Sequence, residues 1–181
     1  LNHLLVRAGR TKFVTPQNSV FTQSVIPIKM TSKQLLERCV FCNIVSGKDP
    51  NAVVLFDNER ICIFKDIRPA ADYHLLAVPK YHINDTRSLT VDDRPLLEEM
   101  RTELGNVLTS KHQIDLATVI FGFHIPPFTT VKHLHMHGIA PASSMGFISR
   151  MIFKPNTMWF NTVQAVMERL PPTEDGTQAN D

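Results

Sequence analysis

The chain has 181 residues, 43% hydrophobic and 20% charged, which is enough length and apolar content for one buried core. Nineteen Lys and Arg against seventeen Asp and Glu leave a formal charge of +2. That is too little for a dedicated duplex-binding protein, so nucleic acid is disfavoured as the main partner. No stretch approaches the roughly 20 apolar residues of a spanning helix.

The three cysteines cannot all pair within one chain, and a chain of this size builds its core without disulfides. A reducing compartment follows, cytoplasmic and also nuclear, with thiols reduced or metal-bound. Residues 1–34 carry no acidic side chain, whereas Arg7, Arg10, Lys12, Lys29 and Lys33 are basic. This segment reads either as an unstructured extension before a start at Met30 or as a transit sequence, which would make the protein mitochondrial. Residues 171–181 have too few apolar side chains to offset their ordering entropy and read as a disordered tail. The folded unit predicted is residues 35–170.

Within it, residues 52–57 and 61–65 are rich in Val, Ile and Phe and flank a short polar turn, the signature of a hairpin. Residues 74–79 form a third strand closed by Pro79. Thr90 and Asp93 make a capping box before Leu97, Met100, Leu104, Val107 and Leu108, which recur at helical spacing. Residues 117–123 and 133–140 read as two more strands, and Val163, Val166, Met167 and Leu170 as one face of a short helix. The order predicts an α+β fold, an antiparallel sheet with helices on one side.

His133, His135 and His137 alternate with Leu134 and Met136. On a strand, that spacing aims three imidazoles at one face. Three readings fit: hydrogen-bonded histidines, a metal-binding row, or a phosphoryl-transfer site that uses a neutral imidazole as nucleophile and others as donors. Cys39 and Cys42 have C-x-x-C spacing, read as two reduced thiols or half of a metal site; no βαβ context supports a redox pair. Phe41, Ile44, Phe64 and Ile67, taken alone, read as core.

The run His133 to Ile139 resembles the motif of the histidine triad family. The likeness extends to residues 40–44, 63–67, 74–79 and His82, and covers about residues 39–141. The segment Gly122 to Phe128 and the ending Met158, Trp159, Phe160 most resemble the family's type-three nucleotide-binding branch. The resemblance implies the family's fold, a five-stranded antiparallel sheet with a long helix and a short C-terminal helix, usually as a homodimer. It also implies hydrolysis of adenosine 5'-monophosphoramidates to AMP and amine through a nucleotidyl-histidine, with no cofactor required.

Carried over residue by residue, His135 is the nucleophile, with its second ring nitrogen donating to a backbone carbonyl, that of His133. His137 stabilises phosphate charge, His74 is an orienter behind the triad, and Thr130 places a hydroxyl near the leaving group. Asp66 matches the carboxylate that accepts ribose hydroxyls, while Phe41, Ile44, Phe64 and Ile67 match the pocket for a purine base. In some members Cys39, Cys42, His82 and His133 would together hold structural zinc. The stretch Gly122 to Phe128 departs from the family by lacking the usual Asn and Gly-Gln, which argues against dinucleoside polyphosphates and for small amine leaving groups. Two other functions stay open: an interaction protein that keeps the nucleotide pocket, and a deadenylase of the aprataxin type, although the Cys/His finger of that branch is missing.

Overall fold

A computed structural model describes residues 37–171. The extension expected at residues 1–34 and the tail at 172–181 lie outside the described residues. The chain forms α1 (Val40–Val45), β1 (Val54–Asp57), β2 (Ile61–Lys65), β3 (Tyr73–Pro79), α2 (Arg94–His112), β4 (Ile120–His124), β5 (Met136–Ala140), α3 (Phe147–Ile152), β6 (Phe160–Thr162) and α4 (Val163–Met167). The six strands make one antiparallel sheet in the order β1-β2-β3-β5-β4-β6.

Local chemistry sets the boundaries. The β1–β2 turn closes because Asn58 Oδ1 accepts the N–H groups of Arg60 and Ile61, both at 2.8 Å. The predicted capping box is present: Thr90 N–H donates to Asp93 Oδ2 at 2.9 Å. Helix α2 stops where Gln113 turns left-handed at φ 55° and the next N–H, that of Ile114, donates to the Leu108 carbonyl. Its inner face, Leu97, Met100, Leu104 and Leu108, is fully buried against Ile61, Ile63, Leu75, Ala77 and Met136. Such burial contributes about 2–3 kcal/mol per side chain.

The alternate residues of the same strands fill the other face. Cys62, Phe64, Leu76 and Val78 pack with Phe41 of α1, and Ile139 packs with Met145, Phe153 and Phe160. Helices therefore lie on both sides of the sheet, which corrects the one-sided expectation. The expected five strands become six because Phe160–Thr162 pairs with β4. Strand β4 begins only at Ile120, since Leu116–Thr118 is a helical turn capped by Asp115, whose Oδ1 accepts from Ala117 N–H. Residues 133–135 lie outside the ladder, His133 in a bend: Leu134 N–H donates to the Ile83 carbonyl rather than to a neighbouring strand.

Candidate active site

Register brings the histidines together. His137 pairs with Leu76 on one side and Gly122 on the other, while His74 pairs with Ile139. Because side chains alternate, His74, His137 and His124 share the sheet face that does not carry α2. Gly122 is required there: a Cβ would meet the Asn161 carbonyl at 2.5 Å and the Phe160 ring at 2.6 Å.

The hydrogen bonds determine which nitrogen of each ring carries its proton. Ala70 N–H donates to His74 Nδ1 at 3.1 Å, so Nε2 of a neutral His74 holds the hydrogen and donates to His137 Nδ1 at 2.8 Å. His137 is then left with Nε2–H, a buried donor with no partner among the described residues. His135 Nδ1 lies 2.7 Å from the His133 carbonyl, which only accepts, so His135 Nε2 is a bare lone pair. The two rings stand 4.9 Å apart. One offers a nucleophilic nitrogen and its neighbour an N–H donor, the pair of groups needed for attack at phosphorus.

Burial keeps these rings neutral. It pushes His74 down to about 4, against the opposing pull of Asp66, and lowers His137 well below the ordinary histidine value. His135 is lowered for the same reason, its bond to the His133 carbonyl acting the other way.

The first triad histidine has different neighbours. His133 Nε2 donates to the Pro79 carbonyl at 3.0 Å, which leaves Nδ1 as a lone pair 3.4 Å from Cys39 Sγ and 3.5 Å from Cys42 Sγ. His82 repeats the pattern, with Nε2 on Asn84 Oδ1 at 3.1 Å and Nδ1 3.3 Å from Cys42 Sγ. The four ligand atoms lie within 4.8 Å of one another. Two thiols and two imidazoles, each ring oriented by an outer acceptor, fit a closed tetrahedral zinc site.

The nucleotide-pocket residues are placed less uniformly. The Phe41 ring lies 5.2 Å from His135 and 5.5 Å from Phe64, and both phenylalanines are buried, with Ile44 packed beside them. Asp66 Oδ2 is 3.5 Å from His74 Nε2 and its Oδ1 accepts from Arg68 N–H. Ile67 is 92% exposed and outside this cluster. Thr130 is exposed; its neighbour Thr129 lines the narrow cavity with His133, His135 and His124.

His124 lies in the Gly122 to Phe128 segment, to which neither spacing nor the family likeness gives a residue role. Its ring packs edge-on to His137 at 5.0 Å, and only the pairing of β4 with β5 reveals this. It also walls an apolar groove with Phe128, Met151, Ile152 and Trp159.

A triad of alternating histidines on an antiparallel sheet backed by one long helix defines the class of histidine triad proteins. Residues 38–152 match the family described as "Scavenger mRNA decapping enzyme C-term binding". The adenosine 5'-monophosphoramidase HINT3 of Xenopus tropicalis is 41% identical over 133 residues, 73% of this chain and 86% of that protein. Its namesake in Mus musculus is 39% identical over 73% of this chain and 81% of that one. A solved HIT family hydrolase from Legionella pneumophila Philadelphia 1 is 31% identical with TM-score 0.52, covering 56% of this chain and 91% of that chain. The chain belongs to the histidine triad superfamily.

Proposed function

We propose that the protein hydrolyses adenosine 5'-monophosphoramidates to AMP and an amine. The observation that carries this reading is the complementary protonation of adjacent rings, a lone pair at His135 Nε2 beside an N–H at His137 Nε2. The named activity of the relatives at about 40% identity supports it. In the first step His135 Nε2 forms a bond to the α-phosphorus, the P–N bond breaks, and the protonated nitrogen departs as amine. His137 donates to a phosphoryl oxygen as charge develops there. In the second step water attacks the nucleotidyl-histidine, frees AMP and restores the lone pair. Asp66 is proposed for the ribose hydroxyls, and the edge of Phe41 for the purine base.

The cysteine–histidine cluster is proposed as a structural zinc site, in which the ion would cross-link α1, the segment after β3 and the segment before β5. The homodimer implied by the family is part of the same reading, and light scattering at micromolar concentration would test it. The activity itself is tested by comparing kcat/KM for an AMP–amine conjugate and for a diadenosine polyphosphate, in wild type and His135→Ala. The proposal expects strong preference for the first substrate and loss of both activities in the variant. Comparable rates would contradict it, and binding without turnover would favour an interaction protein.

A further inference from the structure

We infer that helix α3 and the apolar side chains around it form a docking surface for an anionic lipid bilayer. None of the six residues of Phe147–Ile152 is buried. Phe147 is 79% exposed and Ile148 71%, with Met151 and Ile152 exposed beside them, while the buried anchors lie just outside the helix at Met145 and Phe153. At 100° per residue the four apolar side chains occupy an arc of about 140°, with Ser149 and Arg150 on the remaining side. Trp159 joins this face to the β4–β5 loop: it shares one groove with Phe128, Met151 and Ile152, and its Nε1–H donates to the Met151 carbonyl at 3.1 Å. Met158, the preceding residue, is 73% exposed. Half of the twelve exposed large apolar side chains among the described residues fall in this region, so they form a cluster rather than the usual scatter.

Two observations favour lipid over a protein as the occupant. The first is charge. Residues 116–167 contain Lys132, Arg150 and Lys154 but no Asp or Glu, in a chain whose nineteen basic side chains are nearly matched by seventeen acidic ones. From another element comes exposed Asp72, whose N–H donates to Ser144 Oγ at 3.1 Å, with exposed Arg68 in the same loop. Cations flanking exposed apolar side chains match an anionic headgroup layer over acyl chains.

The second is the direction of the polar groups. The Trp159 N–H is spent on Met151, Arg150 Nη2 donates to the Ser143 carbonyl at 2.9 Å, and Thr157 Oγ1 donates to the Lys154 carbonyl at 3.0 Å. A protein interface draws on about one hydrogen bond per 100–200 Å² and needs such groups turned outward. Acyl chains ask for none. No described helix is long and apolar enough to cross a membrane, so the contact is peripheral. The docked face lies beside the triad, because His124 both lines the groove and packs 5.0 Å from His137.

Trp159 is the single tryptophan of the chain, so its emission reports on this surface directly. The full chain is mixed with vesicles of phosphatidylcholine alone or with about 30% phosphatidylserine, and emission and cosedimentation are followed. The expected result is a blue shift and cosedimentation on the anionic vesicles, with partition onto neutral ones weaker by at least about fivefold, the contribution of one cation. Phe147→Ser combined with Ile148→Ser, both at exposed sites that leave the core intact, should weaken partition at least about tenfold. Lys154→Glu should weaken it about fivefold or more on anionic vesicles only. No blue shift or cosedimentation at about 1 mM anionic lipid, or partition unchanged within about twofold in either variant, would overturn the assignment. Light scattering in lipid-free buffer that shows an oligomer dissolved by the double serine change, without vesicle binding, would give the face to a second copy and overturn it as well.

Discussion

His74 Nε2 lies 2.8 Å from His137 Nδ1 although the two residues are 63 positions apart, one on β3 and one on β5. Since the Ala70 N–H already occupies His74 Nδ1, this contact fixes the proton of His137 on Nε2. His74 is therefore a positioning residue, and it orients His137 rather than the nucleophile. Replacing it with Phe should lower kcat about 10- to 100-fold, the usual cost of losing an outer hydrogen-bond partner, with KM little changed. His74→Asn, which retains a donor, should recover part of the loss. Steady-state kinetics of both variants checks this; a KM effect with unchanged kcat would argue against it.

Stability should decline in mild acid. Burial lowers His74 from 6.5 to about 4 in the folded chain. Above the unfolded value neither state binds the proton, whereas between the two values the unfolded chain binds it and the folded chain does not. Folding stability from this group is thus complete above about pH 6.5 and is lost as pH falls toward 4, by up to about 1.4 kcal/mol per unit. The lowered His137 adds in the same direction. Urea midpoints measured from pH 7 down to 4.5 should fall steadily, and a constant or rising midpoint would contradict the assignment of neutral buried rings.

Gly138 lets the sheet approach α2. A Cβ there would lie 2.7 Å from Leu104 Cδ2 and 2.8 Å from its Cγ, within a side chain that is fully buried. Gly138→Val should cost about 1–3 kcal/mol by overpacking. Combining it with Leu104→Ala should cost less than the sum of the two single changes. Denaturant titration of the four proteins would settle the coupling, and strict additivity would show that the contact is relieved elsewhere.

The zinc proposal makes a stoichiometric prediction. Protein purified without chelator should contain one zinc per chain by metal analysis, and Cys42→Ser should lose it together with several degrees of melting temperature. Metal-free protein whose melting is unaffected by added zinc would leave only thiol-to-imidazole hydrogen bonds at this cluster.

Much of this was readable in the chain because it rests on periodicity. The face of α2 repeats through Leu97, Met100, Leu104 and Leu108, the capping box is local, and β2 coincides with its Val/Ile/Phe-type run at Ile61–Lys65. Elements too short to show a period escaped: α1 buries only Phe41 and Cys42, β6 has three residues, and α3 buries none of its six. Alternation puts three imidazoles on one face but does not divide their work; the family likeness grouped His133 with the cysteines, and the structure places it against Cys39 and Cys42, while His135 and His137 stay together. His124 was visible as a residue but not as a neighbour, because strand order is not encoded in local spacing.

The proposed hydrolysis depends most on His135 as nucleophile. The direct measurement is rapid-quench intact-protein mass spectrometry after mixing with an adenosine phosphoramidate, followed by peptide mapping. The expected result is a transient mass gain of one adenylyl group, mapped to His135, that forms and decays at rates matching turnover and is absent in His135→Ala. Turnover with no adduct at any quench time, or an adduct on another residue that persists in His135→Ala, would contradict the covalent mechanism.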